Sequence, residues 1–85
     1  MNVFDIERDI RNFIVGNFLF GEDNGELSNE DSLLNEGIID STGILELIVF
    51  LEEKYDFKIE DEELTAENLD SIKNVAGFVI RKKVA

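Results

Sequence analysis

The sequence predicts an all-α fold: a small bundle of three or four helices with a long loop between the first and second. Apolar residues recur at spacings of three and four in three separate segments, and no alternating strand pattern persists for more than a few residues. The chain contains no proline to interrupt a helix. Because 85 residues supply only one modest core, residues 1–85 are expected to form a single domain.

The first predicted helix lies near the start of the chain, and Gly16 and Asn17 mark its expected end. Residues 18–40 combine three glycines with Asn, Asp, Ser and Glu, which is the composition of turns. Because so long a loop is uncommon in a compact domain, its apolar residues are expected to anchor it. The helical face comprises Val3, Ile6, Ile10, Phe13 and Ile14, and the loop anchors are Leu27, Leu33, Leu34, Ile38 and Ile39.

The second helix has the clearest pattern, and Asp40 or Ser41 is placed to cap its start. An extended stretch over residues 57–59 and a short extra helix before Asn68 are expected next. The last helix begins at Asp70 or Ser71, and the basic residues at its end complement the helix dipole. The inward faces are Ile44, Leu47, Ile48, Leu51 and Tyr55 in the second helix, and Ile72, Val75, Ala76 and Val79 in the last.

The formal charge of −12 is unevenly distributed along the chain. Residues 22–70 hold 17 acidic side chains against two lysines, whereas residues 71–85 hold four basic side chains and no acid. Such a chain repels nucleic acid and anionic membranes, so basic protein surfaces are the expected partners. The most apolar stretch, residues 44–51, is far shorter than the roughly 20 residues of a membrane span, and no targeting signal is recognisable. We therefore expect a cytoplasmic monomer that does not insert into membranes.

The absence of cysteine and histidine excludes several kinds of chemistry. Disulfides, thiolate metal sites, ordinary zinc sites and Ser-His-Asp catalysis all require one of these two residue types. The protein is therefore not expected to be an enzyme by itself.

The dipeptide Asp-Ser occurs three times, ending at Ser32, Ser41 and Ser71. Any of these serines fits a helix cap, so the dipeptide alone indicates little. Ser41 differs because the loop delivers it to the start of the strongest helix, whose outer side is acidic.

That outer side of the second helix contains Thr42, Glu46, Val49 and Glu53, with Leu45 and Phe50 on its flanks. The three apolar residues among them cannot all reach a core that receives the opposite face. Two interpretations remain open: the long loop covers them, or they are exposed and bind a partner.

Residues 37–47 (GIIDSTGILEL) and 50–56 (FLEEKYD) resemble the phosphopantetheine attachment region of acyl carrier proteins. The resemblance spans nearly the whole chain and includes residues 59–63 (IEDEE) and 67–72 (ENLDSI). It implies that Ser41 carries 4′-phosphopantetheine as a phosphodiester, whose thiol holds an acyl or aminoacyl group as a thioester. The implied partners are a phosphopantetheinyl transferase and an acyl- or aminoacyl-activating ligase or acyltransferase.

The resemblance also assigns site residues around Ser41. A phosphodiester there would lie at the positive end of the helix dipole, which is worth about 0.3–1 kcal/mol. Gly43 would let a partner or the arm approach the backbone, or is merely tolerated near a helix end. The expected cofactor-binding residues are Ser41, Asp40, Thr42 and Gly43, and the expected partner-binding residues are Leu45, Glu46, Val49 and Glu53.

Two departures from common carriers point to a specialised pathway. Carriers of fatty-acid synthesis usually have Leu and then an acid after the serine, where this chain has Thr42 and Gly43. Peptidyl carriers usually have Gly-Gly before the His/Asp-Ser pair, where this chain has Ile38 and Ile39. The sequence looks more like stand-alone carriers that work with a discrete ligase, including D-alanyl carriers.

Two alternatives lack a prosthetic group. One is an acidic protein-interaction adaptor, in which Asp40 and Ser41 only cap a helix. The other is a divalent-cation-binding module, but an EF-hand register over residues 20–31 would place Phe20 at the first ligand position and lacks the bidentate Glu. No specific metal site is therefore expected, although residues 60–63 would attract cations loosely.

Overall fold

The computed structural model describes residues 2–19 and 27–84, which form four α-helices and one 3₁₀ turn. The helices are α1 (Val3–Phe18), α2 (Ser41–Tyr55), α3 (Ala66–Leu69) and α4 (Ile72–Val84), and the 3₁₀ turn spans Asp61–Glu63. These two ranges contain no strand, in agreement with the predicted all-α class. Within the same ranges, no helix has both the length and the apolar character needed to cross a membrane.

The helices enclose an apolar core to which each predicted helical face contributes. α4 packs against both α1 and α3. In α2, Ile44 and Ile48 are only half-buried, although the pattern placed them in the core. The buried apolar side chains of the helices are Ile6, Ile10 and Ile14 of α1, Leu47, Leu51 and Tyr55 of α2, Leu69 of α3, and Ile72, Val75, Ala76, Phe78 and Val79 of α4.

Helix α1 continues two residues beyond Gly16, to Phe18. The predicted end was too early, because a single exposed glycine costs a helix only about 1 kcal/mol. The Leu19 N–H continues the helical hydrogen bonding by donating to the Val15 carbonyl at 3.2 Å, and the side-chain Nδ2 of Asn17 donates to the Phe13 carbonyl at 2.8 Å.

The described part of the long loop is anchored by apolar side chains, as predicted, with one exception. Leu27, Leu33 and Ile39 are buried and Ile38 is half-buried. Leu34 departs from the prediction, since it is 43% exposed. The spacing of apolar residues in an irregular segment does not reveal which of them face inward.

Hydrogen bonds fasten this loop to the junction between α3 and α4. The Leu33 N–H donates to the Asp70 carbonyl at 2.7 Å, and the Asp70 carboxylate accepts from the Ser32 hydroxyl and the Leu34 N–H. Farther along, the Lys73 N–H donates to the Asn29 carbonyl at 2.8 Å. The first and third Asp-Ser dipeptides therefore serve to join the loop to the bundle.

The end of α2 is joined to α1 through Tyr55. Its hydroxyl donates to the Asp9 carboxylate at 3.3 Å. Burial, and then the negative charge of Asp9, raise the pKa of Tyr55 to about 12. The phenol therefore stays protonated as a donor at neutral pH. Asp56 follows in the left-handed conformation (φ 56°), which ends the helix.

Between α2 and α4 the structure has the 3₁₀ turn and the short helix α3, whereas the sequence indicated an extended stretch and one short helix. Residues 57–60 have no regular structure, and the Ile59 N–H donates to the Glu52 carboxylate at 2.8 Å. The expected short helix is α3, which runs through Asn68 to Leu69 instead of ending before Asn68. An ion pair of 2.9 Å between Glu63 and Lys82 ties the 3₁₀ turn to α4.

Candidate functional site

The site lies at the N-terminus of α2, where Asp40 is the capping residue. Its side-chain Oδ1 accepts from the Gly43 N–H at 2.7 Å, and its carbonyl accepts from the Ile44 N–H at 3.0 Å. The sequence left Asp40 and Ser41 as alternative caps, and the structure selects Asp40. Ser41 is consequently the first helical residue, and its side chain is free of the capping role.

The hydroxyl of Ser41 differs from those of the other serines of this chain. Ser41 is exposed, and among the described residues its Oγ has no hydrogen-bond partner. The other three serine hydroxyls each accept from a backbone N–H two or three residues farther on, at 3.0–3.2 Å. Those three serines are Ser28, Ser32 and Ser71. Only Ser41 therefore combines a free Oγ with exposure at a helix start.

Two backbone donors accompany this hydroxyl. The N–H groups of Ser41 and Thr42 have no acceptor within the described parts of the chain, as expected for the first turn of a helix. Together with the helix dipole, they favour an anion attached to Ser41. An exposed hydroxyl beside two free donors fits a phosphodiester-linked group, although the Asp40 carboxylate opposes part of this attraction.

Gly43 has a structural role that neither sequence interpretation included. It is buried, and a Cβ built on it would lie 2.6 Å from Cγ1 of Ile39 and 2.9 Å from Cε1 of Phe18. These distances are too short for any side chain. Gly43 therefore lets α2 pack directly against the end of α1 and against the residue before the cap.

Replacing Asp40 with Ala is expected to lower the free energy of unfolding by about 1 kcal/mol, because the Gly43 N–H loses its acceptor. Asp40→Asn keeps a side-chain oxygen at the cap and is expected to lose much less. Urea denaturation followed by circular dichroism measures both variants. Equal losses would show that the negative charge, and not the cap, is what stabilises the start of α2.

All of the predicted partner-binding residues line one open groove of about 610 Å³ between α1 and α2. Leu45 is 60% exposed and Val49 is 53% exposed. Residues 27–40, the described part of the loop, do not line the groove. This part of the loop therefore leaves Leu45 and Val49 uncovered. The groove residues are Phe13 and Asn17 of α1 and Thr42, Leu45, Glu46, Val49, Phe50 and Glu53 of α2.

The contribution of α1 to this groove was not anticipated. Phe13 had been assigned to the core face of α1, yet it is only half-buried. Its ring stacks on that of Phe50, with centroids 4.3 Å apart and planes at 15°. The sequence contains a signal for this contact, because Phe13 and Phe50 each lie at the edge of the apolar face of their helix.

A smaller cavity of about 130 Å³ lies beside Ile44. The loop, the segment before α3, and α3 itself supply its other walls. These walls are Leu34, Leu64, Thr65, Ala66, Leu69 and Asp70.

No cluster of three or more acidic side chains in the described ranges is arranged to hold a metal ion. The EF-hand register considered from the sequence covers residues 20–31, of which 20–26 lie outside the described residues.

Comparison with curated proteins finds carrier proteins among the relatives of this chain, whereas no family model matches it. The chain is 34% identical over 76 residues to a D-alanyl carrier protein of Streptococcus suis, covering 89% of this chain and 92% of that protein. It is 36% identical over 63 residues to a D-alanyl carrier protein of Abiotrophia defectiva, covering 71% and 78%.

Solved structures show the same fold. One match is a chain from a crystal structure described as an FAD-dependent dehydrogenase, with a TM-score of 0.71, 26% identity, and coverage of 82% of this chain and 97% of that one. Another is the solution NMR structure of a holo acyl carrier protein from Nitrosomonas europaea, with a TM-score of 0.73, 27% identity and full coverage of both chains. Identity to named carriers over most of their length, together with this shared fold, shows that the chain belongs to the acyl carrier protein family and acts as a carrier.

Proposed function

We propose that this protein carries an aminoacyl group on a 4′-phosphopantetheine arm attached to Ser41, within a specialised pathway. The observation that supports this most directly is the free, exposed hydroxyl of Ser41 at the capped start of α2. When bound, the arm supplies the thiol that a chain without cysteine lacks.

Attachment would make Ser41 the substrate of a transferase. The Ser41 Oγ forms a bond to the phosphorus that bears the pantetheine arm in coenzyme A, and the phosphoanhydride bond breaks. Adenosine 3′,5′-bisphosphate leaves with the electron pair, and the serine proton passes to a base of the transferase. The chain has no histidine, and the Asp40 carboxylate is engaged with the Gly43 N–H, so the base must come from the other protein.

The residues around Ser41 would then hold the phosphodiester in place. The free N–H groups of Ser41 and Thr42 would donate to the phosphodiester oxygens. The exposed Thr42 side chain borders the adjoining groove between α1 and α2. Asp40 keeps the helix start ordered, while Gly43 maintains the packing beneath it. Ser41 is thus the proposed attachment point and Thr42 a proposed hydrogen-bond donor. Asp40 caps the helix, and Gly43 maintains the helix packing.

D-Alanine is the cargo that we propose, because the relatives from Streptococcus suis and Abiotrophia defectiva are each named D-alanyl carrier protein. The open pocket of about 130 Å³ beside Ile44 has room for a small cargo. A discrete aminoacyl-activating ligase would load the thiol, and its basic surface would meet the face that bears Glu46 and Glu53. The proposal places these steps in the cytoplasm, where coenzyme A and ATP are supplied.

Intact mass spectrometry tests the attachment. The purified protein is incubated with coenzyme A and a phosphopantetheinyl transferase of broad specificity, and a gain of one phosphopantetheinyl group is expected. Fragmentation of the modified chain should place the added mass on Ser41. A folded protein that gains no mass with several transferases would refute the carrier proposal and favour the acidic adaptor.

A further inference from the structure

The open pocket beside Ile44, which we call the Ile44 pocket, lies on the same side of α2 as Ser41. Ile44 follows Ser41 by three positions, so the two side chains are neighbours on the helix surface. A flexible arm attached to Ser41 would therefore reach the pocket without crossing the bundle. Two of its apolar walls are in contact with water, since Leu34 is 43% exposed and Leu64 is 41% exposed.

Asp70 alone is charged among the described residues that line the Ile44 pocket. Its carboxylate is partly buried and accepts from two neutral donors, the Ser32 hydroxyl and the Leu34 N–H at 3.1 Å. No basic side chain in the described parts of the chain forms an ion pair with it. Neutral donors orient a carboxylate but do not neutralise its charge, so a cation beside Asp70 is favoured.

The charged groups nearest to Asp70 do not supply this cation. On its other side, Asp70 borders a more polar pocket that is also lined by Glu30, Glu67 and Lys73. The Lys73 ammonium is paired with the Glu30 carboxylate at 3.4 Å, and Glu67 is acidic itself. The Asp70 carboxylate is therefore left for a cation that comes from outside the chain.

An aminoacyl cargo carries such a cation. It differs from an acyl cargo by an amino group on the carbon next to the carbonyl, and an α-amino group, with an ordinary pKa of about 8, is protonated in large part at neutral pH. A D-alanyl group thus presents a methyl group and an ammonium group on one carbon atom. The Ile44 pocket offers apolar walls to the methyl group and one carboxylate to the ammonium group.

We infer that Asp70 recognises the ammonium group of the aminoacyl cargo and so distinguishes it from an acyl cargo. The methyl group lies against Ile44 and Leu64, while the ammonium group donates to the Asp70 carboxylate. This inference rests on the proposed function, because it names the residue that selects the cargo on the same arm. Since the pocket is open to solvent, the ion pair is weak, and the cargo leaves the pocket readily when an enzyme takes it up.

The test titrates the amino group of the cargo by NMR. A transferase attaches to Ser41 a pantetheine arm, supplied as a coenzyme A analogue, that ends in D-alanine through an amide in place of the thioester. The cargo then stays attached at high pH, and the chemical shift of its methyl protons reports the pKa of the amino group. This pKa should be about 0.5–1 higher in the wild type than in Asp70→Asn, because a nearby carboxylate favours the ammonium form.

Two variants are matched controls for charge and for structure. Glu67→Gln removes an exposed carboxylate of α3 that lies three positions before Asp70 and outside the Ile44 pocket, so the pKa should stay within about 0.2 of the wild-type value. Ser32→Ala removes a hydrogen bond to Asp70 but keeps the negative charge, so most of the difference should remain. Circular dichroism confirms that each variant is folded.

A propionyl arm, which lacks the amino group, is the control for the cargo. In the wild type, the backbone amide signals of Leu34, Ile44 and Leu64 should shift more with the D-alanyl arm than with the propionyl arm. In Asp70→Asn, the two arms should give the same shifts.

The outcomes separate the inference from the proposed function. Equal pKa values in the wild type and Asp70→Asn would refute recognition by Asp70 and leave the carrier function standing. An equal decrease in Glu67→Gln would assign the effect to the general field of an acidic chain, and an equal decrease in Ser32→Ala would assign it to the structure of the loop; either result overturns the inference. A wild-type protein that gains no arm from unmodified coenzyme A would instead refute the proposed function.

Discussion

Replacing Ser41 with Ala is expected to abolish the mass gain from coenzyme A completely while leaving the fold intact. The hydroxyl is the proposed point of attachment, and no other serine hydroxyl of the chain is both exposed and free of hydrogen bonds. Since the Ser41 side chain is exposed and its hydroxyl has no hydrogen-bond partner among the described residues, the free energy of unfolding should change by less than about 0.5 kcal/mol. Intact mass and urea denaturation measure the two effects.

Ser32→Ala is the matched control, because it should show the opposite behaviour. The Ser32 hydroxyl donates to the Asp70 carboxylate and accepts from the Asn35 N–H, so its loss should cost about 1 kcal/mol or more. The variant should nevertheless gain the phosphopantetheinyl group at the normal rate. If Ser41→Ala still gained the group, attachment would lie at another residue and the proposed site would be wrong.

Gly43→Ala is expected to destabilise the protein by about 1–3 kcal/mol, although Ala is the better helix former. The new methyl group would lie 2.6 Å from Ile39 and 2.9 Å from Phe18, so α2 would have to move away from the end of α1. The comparison variant is Gly16→Ala in α1, where nothing lies within 4 Å of the added Cβ. That variant should be stabilised by up to about 1 kcal/mol.

Urea denaturation of both glycine variants gives their changes in unfolding free energy. Ile39→Ala removes the atom that lies closest to the new methyl group of Gly43→Ala. The double variant should therefore lose less unfolding free energy than the sum of the losses in the two single variants. Strict additivity, or a Gly43→Ala variant as stable as the wild type, would show that contact between α2 and Ile39 does not require the glycine.

Helix identity and the position of the candidate site were predictable from local patterns. The apolar residues of α2 repeat with helical spacing, and a capping Asp before Ser41 is a signal within a few residues of sequence. Two predictions were wrong because local patterns contain no information about tertiary contacts. The end of α1 and the exposure of Leu34 depend on what surrounds them, and neither Gly16 nor the loop composition contains that information.

Relations between distant segments were decided only by the tertiary structure. The sequence by itself determined that the chain is acidic and helical, and that Asp-Ser begins its strongest helix. It did not show that Asp70 holds Ser32 while Ser41 stays free, that Gly43 fits against Phe18, or that Phe13 completes a groove with α2. Each of these depends on side chains brought together by packing of the helices, and periodicity within one helix does not specify which residues of another helix it meets.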